Sequence, residues 1–206
     1  MGITGREPAP VIREAAMEPR QHEQLAPIIR SARPGDAARM AQVYVEAWRD
    51  SYPILLPART LAAMSVERWT HQFTSTISRG RELVLVAEDQ KTGVVGLATG
   101  GPALDRGVFF GARGVCEIFA LYVSADFGGR GAGSGLLRSM LRVFADRGAP
   151  AAFAWMLRGN PARYFYERMG ARLVAQKSER RFGEVIHLEA YAWSDLRAIV
   201  APKRLR

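Results

Sequence analysis

The segment from Cys116 to Gly148 constrains the fold of this chain more than any other. It opens with the apolar run CEIFALYV, typical of a buried strand, and a turn dense in glycine follows directly. An amphipathic helix begins within the glycines, where apolar residues recur three and four positions apart. Glycines and a helix N-terminus both present backbone N–H groups, so residues 128–135, here called the glycine loop, are predicted to bind an anion.

Three well-known glycine motifs do not match the glycine loop. A P-loop requires lysine directly after its second glycine, where this chain has Ser134. A dinucleotide fingerprint requires a third glycine at the position of Leu136. A nucleophile elbow requires glycine two residues before and after its serine, but Ala132 and Leu136 flank Ser134. The anion site therefore belongs to another class of protein.

The glycine loop contains the pattern Arg130-x-x-Gly133-x-Gly135 directly after a strand. Downstream, the letters NPARYFYERMG at residues 160–170 combine an asparagine, a tyrosine and a final glycine in one short helical segment. These two segments resemble the GCN5-related N-acetyltransferases, the GNAT superfamily. The resemblance covers about residues 28–193.

The hydrophobic pattern predicts one α/β (α+β) domain with the element order β α α β β β α β α β β. The resemblance implies the GNAT, or acyl-CoA N-acyltransferase, fold: a mixed, mostly antiparallel central sheet with helices on both faces. Residues 1–27 are expected to be a flexible tail, 28–200 a single domain and 201–206 a basic tail. The predicted strands are 28–32, 83–87, 94–98, 115–123, 151–157, 171–175 and 185–190. The predicted helices begin after the cap Asp36, at Val66, within the glycine loop, and at Pro161 after the cap Asn160.

The composition of the chain limits which ligands, cofactors and partners are expected. No apolar run approaches the roughly 20 residues of a membrane-spanning helix, and no signal-peptide pattern is present, so we expect a cytoplasmic protein without a membrane partner. The single cysteine and three scattered histidines predict no metal cofactor. Cys116 is expected to be a small buried apolar residue. The alternative is that it acts as a nucleophile with His187 as its base. The net charge of +9 favours anionic ligands, but no nucleic-acid-binding motif accompanies it, so a small anion is expected rather than nucleic acid.

The resemblance implies acetyl-CoA as co-substrate, with its pyrophosphate bound by backbone amides of the glycine loop. Main-chain N–H groups at the end of the preceding strand are expected to polarise the thioester carbonyl. Asn160 is expected to cap its helix, to contact CoA, or both. Gly128 stands where many members of the family have Arg or Gln, and Ala171 where Phe is frequent. The expected CoA-binding residues are Leu121, Tyr122, Val123, Gly129, Arg130, Gly131, Ala132, Gly133, Ser134, Gly135 and Asn160.

The resemblance also supplies two catalytic candidates. Tyr166 occupies the family's general-acid position, and packing of its helix is the structural alternative. Glu117 matches the glutamate that histone-type members use as general base. The alternatives are that Glu117 forms a salt bridge with an arginine, and that a water network acts as the base. An alkyl ammonium has a pKa of about 10.4, so an amine acceptor needs such a base at neutral pH.

These observations predict an enzyme that transfers acetyl directly from acetyl-CoA to a primary amine in a ternary complex. The alternatives are a CoA-binding sensor or interaction domain with little activity, and a transferase that uses another acyl-CoA or a hydroxyl acceptor. The acceptor pocket is expected from residues 48–66, 102–114 and 179–184, with aromatic side chains in its wall. A homodimer is compatible with the family. The expected aromatic residues are Tyr44, Trp48, Tyr52 and Trp155.

Overall fold

The computed structural model describes residues 26–104, 107–108, 113–181 and 183–200. Within them, one sheet holds seven strands and helices cover both of its faces. The strands are β1 Ile28–Ser31, β2 Leu83–Asp89, β3 Gly93–Pro102, β4 Cys116–Val123, β5 Ala152–Leu157, β6 Arg172–Arg181 and β7 Glu184–Trp193. The helices are α1 Ala37–Ser51, α2 Ala58–Ala62, α3 Val66–Arg79, α4 Ala132–Asp146, α5 Arg163–Arg168 and α6 Leu196–Val200.

The strands follow the order β1-β2-β3-β4-β5-β7-β6. Neighbouring strands pair antiparallel, except that β4 and β5 pair parallel because α4 carries the chain back between them. The predicted mixed, mostly antiparallel sheet is confirmed.

Two apolar layers enclose the sheet, and the alternation along β2 shows how the sequence specifies them. Leu83 and Leu85 pack with α4 on one face, whereas Val84 and Val86 pack with α1 and α3 on the other. The helix after the glycine loop buries a stripe of large apolar residues against the first face, namely Leu136, Leu137, Met140, Leu141 and Phe144.

The parallel strands β4 and β5 pair over only three residues and then separate. The last pair is Ile118 with Ala154. At this point the register between β3 and β4 shifts, and Phe119 becomes an extra, bulged residue on β4. The facing residue is Gly100, where a Cβ atom would lie 2.6 Å from the carbonyl oxygen of Glu117. A side chain there would collide with main chain, so this glycine permits the bulge and the bulge aims β4 away from β5.

Several predicted boundaries are wrong in instructive ways. Helix α1 continues to Ser51, beyond the predicted break at Trp48, because the aromatic residues there still contribute to its buried face. The short helix α2 was not predicted. Strands β6 and β7 each span ten residues, so their turn is shorter than the predicted 179–183. Helix α5 begins at Arg163 rather than at Pro161, since a hydrogen-bonded turn at Asn160 precedes it.

The predicted N-terminal tail and residues 201–206 lie outside the described residues, except for 26 and 27. None of the helices in the described ranges is both long and apolar enough to cross a membrane. The same ranges hold no cluster of three or more histidine, cysteine or acidic side chains suited to a metal ion.

Candidate active site

The separation of β4 from β5 opens a cavity of about 200 Å³ in the sheet, here called the strand cleft. Residues of both strands form its sides, and Tyr52, Asn160 and Tyr166 close it from outside the sheet. The predicted residues Leu121, Tyr122 and Val123 all line the strand cleft. The fold thus brings together the strand end, the asparagine and the tyrosine that the sequence singled out separately.

Two backbone N–H groups of β4 point into the strand cleft. The N–H of Ser124 donates to the carbonyl of Val95 on β3, so successive amides before it alternate between the two edges of β4. By this alternation the N–H groups of Leu121 and Val123 face the cleft, while that of Tyr122 faces β3. An open edge of this kind can bond an extended ligand as a further strand would.

The glycine loop presents a run of unused amides. Gly129 and Gly131 have φ values of +74° and +84°, and no atom lies within 4 Å of a Cβ built on either residue. In the described part of the chain, no acceptor is bonded to the backbone N–H groups of residues 129–134. The 15-residue helix α4 begins at Ala132 and adds its positive end to the same place. The guanidinium of Arg130 stacks on the Phe127 ring, 4.8 Å from its centroid.

Gly135, at the base of the loop, has a packing role that Gly133 does not share. A Cβ on Gly135 would lie 3.0 Å from the side chain of Ile29, so glycine allows α4 to approach β1 closely. A Cβ on Gly133 would meet Phe165 and Val123 at 3.7 Å, an ordinary contact. The side chain of Ser134 donates to the carbonyl of Gly131 at 3.0 Å and closes the first turn of the helix. The loop therefore combines open amides at its tip with close packing at its base.

Asn160 uses both ends of its buried side chain. Its Oδ1 accepts a hydrogen bond from the N–H of Ala162 at 2.9 Å, and its Nδ2 donates to the hydroxyl of Tyr52 at 3.3 Å. The first bond holds the turn that leads into α5, but the predicted helix cap is wrong, because Ala162 occupies the N-cap position and no side chain caps α5. The second connects the start of α5 to α1, across the opening of the strand cleft.

Tyr166 lies on α5 and is 8% exposed. Its ring contacts Phe165 and Trp193, with centroids 5.3 and 5.8 Å away. Its hydroxyl has no hydrogen-bond partner among the described residues. Burial, and secondarily the nearby Tyr52, raise the pKa of Tyr166 well above its usual value, so the phenol keeps its proton at neutral pH.

A second cavity, of about 920 Å³, lies on the α1 and α3 face of the sheet and is here called the large cavity. Glu117 lines it and is 8% exposed. Its Oε2 accepts a hydrogen bond from the N–H of Leu104 at 3.0 Å, which helps to satisfy a carboxylate in an apolar strand. Glu117 therefore opens to the large cavity, whereas Tyr166 opens to the strand cleft.

Aromatic side chains form the wall of the large cavity, as the sequence predicted for an acceptor pocket. Tyr44 lies at the centre of this cluster, with its ring centroid 4.2 Å from that of Trp69 and 5.1 Å from that of Tyr122. Trp48 and Tyr52 continue the cluster, with their centroids 5.0 Å apart. Tyr52 and Tyr122 line both cavities, and their hydroxyl oxygens are 3.3 Å apart. Burial raises the pKa values of both phenols, so both are neutral at physiological pH.

The alternative pairing of Cys116 with His187 is not formed. Cys116 pairs with Ala152 at the beginning of β5, whereas the carbonyl of His187 accepts a hydrogen bond from Arg158, just beyond the end of that strand. The imidazole of His187 lies 2.8 Å from the Ser178 hydroxyl instead. Cys116 packs at the edge of the α4 core as a small apolar residue.

Sequence reasoning missed two residues of the large cavity. Thr99 lines it from β3, and Glu82 lines it from the position just before β2. The sequence signal that could have found this part of the site is the pair Gly100–Gly101, since glycines inside a strand often mark a bulge or a close approach.

The site residues fit an extended anionic ligand. The open amides of the glycine loop suit a pyrophosphate, and the strand cleft that starts beside Val123 suits a narrow chain with amide groups. A molecule bound in this way would end between β4 and β5, next to both Tyr52 and Tyr166.

Comparison with known proteins is consistent with this geometry. Residues 38–171 match the model of the acetyltransferase (GNAT) family. The chain is 28% identical over 171 residues to the uncharacterized N-acetyltransferase YuaI of Bacillus subtilis (strain 168), covering 83% of this chain and 95% of that protein.

Solved structures share the fold. The ribosomal-protein-alanine N-acetyltransferase of Brucella melitensis superposes with a TM-score of 0.62 at 25% identity, covering 81% of this chain and 99% of that one. The PaiA N-acetyltransferase of Thermoplasma acidophilum, solved with coenzyme A, superposes with a TM-score of 0.62 at 17% identity, covering 80% of this chain and 98% of that one. YncA of Salmonella typhimurium, solved with acetyl-CoA, superposes with a TM-score of 0.62 at 22% identity, covering 87% of this chain and 99% of that one.

Proposed function

This chain belongs to the GNAT acetyltransferase family, and on that premise we propose that it transfers an acetyl group directly from acetyl-CoA to a primary amine. The observation that carries the proposal is the meeting of two cavities at Tyr52 and Tyr122. One cavity has the amides suited to the donor, and the other has the aromatic wall and carboxylates suited to an amine. Two substrates bound side by side can react without an acyl-enzyme intermediate.

Acetyl-CoA supplies an activated thioester. The glycine loop binds its pyrophosphate through the amides of residues 129–134, and the N–H groups of Leu121 and Val123 bond the chain that enters the strand cleft. Asn160 orients this region by holding Tyr52 and the turn before α5. The walls of the strand cleft exclude water from the reacting atoms.

Glu117 and Tyr166 divide the proton chemistry. The carboxylate of Glu117, in the large cavity, accepts a proton from the acceptor ammonium, directly or through water, so that the amine can attack. The hydroxyl of Tyr166 holds its proton at neutral pH and donates it to the sulfur that leaves. Each residue opens to the cavity in which its proton is needed.

Thermal unfolding with separate ligands, followed by a measurement of thiol release, tests the proposal. Acetyl-CoA at about 100 times its Kd should stabilise the protein by about 2.7 kcal/mol, which is a Tm increase on the order of 5–10 °C. Thiol should then be released from acetyl-CoA only when a primary amine is present, as a panel of amines, amino acids and peptides would show.

Three outcomes would contradict parts of this proposal. Stabilisation by CoA and acetyl-CoA without thiol release for any acceptor would favour a sensor or interaction domain. Faster thiol release from another acyl-CoA would mean that this acyl-CoA, and not acetyl-CoA, is the donor. Tight, salt-dependent DNA binding with no effect of acetyl-CoA would indicate a nucleic-acid-binding protein.

A further inference from the structure

The floor of the large cavity carries two carboxylates, one on either side of Gly101. Glu117 on β4 pairs with Gly101 on β3, and Glu82, the residue just before β2, lies on the other side of Gly101, next to the first β2–β3 pair, Leu83 with Gly100. A Cβ built on Gly101 would lie 3.9 Å from the α-carbon of Glu82. Both glutamates line the large cavity, and glycine between them leaves an open trough. Two strand spacings separate their α-carbons by about 10 Å.

A third polar group of the floor has no partner. Thr99 precedes Gly101 on the same face of β3, is only 5% exposed and lines the large cavity. Its hydroxyl makes no hydrogen bond among the described residues. The hydroxyl oxygen itself is not fully buried, so it opens to the cavity, where a ligand can bond it.

The cations of the large cavity are already engaged. Lys177 and Arg181 lie on β6, and Glu179 stands between them, 3.5 Å from the Lys177 ammonium and 2.9 Å from Nε of Arg181. The Lys177 ammonium also lies 4.3 Å above the Trp155 ring. By contrast, Glu82 forms no ion pair within the described ranges. Partial removal from water raises the pKa of Glu82, as expected for a carboxylate that lacks a cation.

We propose that the acceptor is a small linear diamine, whose reacting amine lies beside Glu117 while its second ammonium binds Glu82 and Thr99 across Gly101. This inference rests on the proposed function and adds the class of acceptor to it. Glu82 is then a specificity-determining residue, because it contacts the far end of the acceptor and takes no part in proton transfer. The aromatic wall, centred on Tyr44, covers the carbon chain and attracts its cationic ends.

Acceptors that share one carbon chain but differ in their second charged group test whether Glu82 binds the second ammonium. 1,5-Diaminopentane and pentylamine have the same carbon chain but differ by one ammonium group, and 5-aminopentanoate replaces that group by a carboxylate. With the wild-type protein we expect kcat/KM for the diamine to exceed that for pentylamine by about tenfold, with 5-aminopentanoate below both. In Glu82→Gln the advantage of the diamine should fall to less than about threefold. The exposed Glu46 of α1 provides the control, since Glu46→Gln removes the same charge elsewhere and should keep the tenfold ratio.

Calorimetry with the diamine, in the absence of acetyl-CoA, separates this inference from the proposed function. We expect 1,5-diaminopentane to bind the wild-type protein, and its Kd to rise by about fivefold or more in Glu82→Gln. This result would support the diamine site even if no amine is acetylated. Absence of acetylation would contradict the proposed function alone. Equal kcat/KM for diamine and monoamine would overturn the inference while the proposed function stands. An unchanged ratio and an unchanged affinity in Glu82→Gln would overturn it as well.

Discussion

The strand cleft and the large cavity are neighbours, but they are built from different parts of the polypeptide. The site proposed for the donor, here called the donor side, relies on backbone groups: the amides of the glycine loop, the open edge of β4 and the first turn of α4 all come from one continuous segment. Side chains dominate the large cavity, and they come from α1, α3 and five strands.

This difference indicates which half of the site can change most easily. A backbone surface keeps its hydrogen-bonding groups when side chains are substituted, so it suits a donor common to a whole family. A surface of side chains changes with every substitution, so it suits an acceptor specific to one protein. Tyr52 belongs to both halves, because its hydroxyl contacts Asn160 on the donor side and Tyr122 in the wall of the large cavity.

The largest effect is expected from Tyr166→Phe, which tests whether the donor side also depends on a side chain. The substitution removes only a hydroxyl that has no partner in the described residues, so Tm should change by less than about 2 °C. Loss of the general acid should lower kcat by about 10³-fold while leaving the Kd of acetyl-CoA almost unchanged. Steady-state kinetics and acetyl-CoA titration measure the two quantities.

Tyr164→Phe is the matched control for this prediction. Tyr164 lies on the same helix but is 51% exposed and accepts a hydrogen bond from the guanidinium of Arg163 at 2.7 Å. Tyr164 does not line the strand cleft, so activity should stay within about twofold of wild type. A kcat for Tyr166→Phe within a few-fold of wild type would exclude it as the acid.

The donor side could be predicted from the sequence because its signals are local. Glycines at fixed spacing, an apolar strand before them and an amphipathic helix after them predict both the local fold and an anion site. The mixed, mostly antiparallel sheet and the order of elements along the chain followed from the hydrophobic pattern together with the family resemblance, and the structure confirms both apart from the unpredicted helices α2 and α6.

The large cavity could be predicted only in outline. The aromatic residues of α1 were identified, but Glu82 and Thr99 reach the site through the register of β2 and β3, which the hydrophobic pattern does not give. The separation of β4 from β5 depends on a bulge that a single residue, Phe119, creates opposite Gly100. Such features follow from contacts between distant segments, and no local pattern encodes them.

A smaller effect is expected from Glu117→Gln, which tests the chemistry of the large cavity. Glutamine keeps an oxygen that can accept the bond from Leu104, so the fold of β4 should be preserved. Loss of the base should lower kcat/KM for the acceptor by about 10²-fold and remove the part of the pH profile that reports its ionisation. The pH dependence of kcat/KM, with acetyl-CoA affinity as the control, measures this. If rate and pH profile both match the wild type, the base is a water molecule or another group.

The smallest effect is expected from Gly131→Ala, with Gly148→Ala as its matched control. Both glycines have φ of +84° and open space where a Cβ would stand, so alanine should cost each variant about 1–2 kcal/mol of folding free energy through the same backbone strain. Only Gly131 belongs to the glycine loop, where a methyl group and a shifted backbone would disturb the amides that face the pyrophosphate. We therefore expect equal losses of Tm, of roughly 2–8 °C, but a Kd for acetyl-CoA about tenfold higher in Gly131→Ala alone. Equal affinities in the two variants would mean that the donor is held mainly within the strand cleft, and that the amides around Gly131 do not contact the ligand.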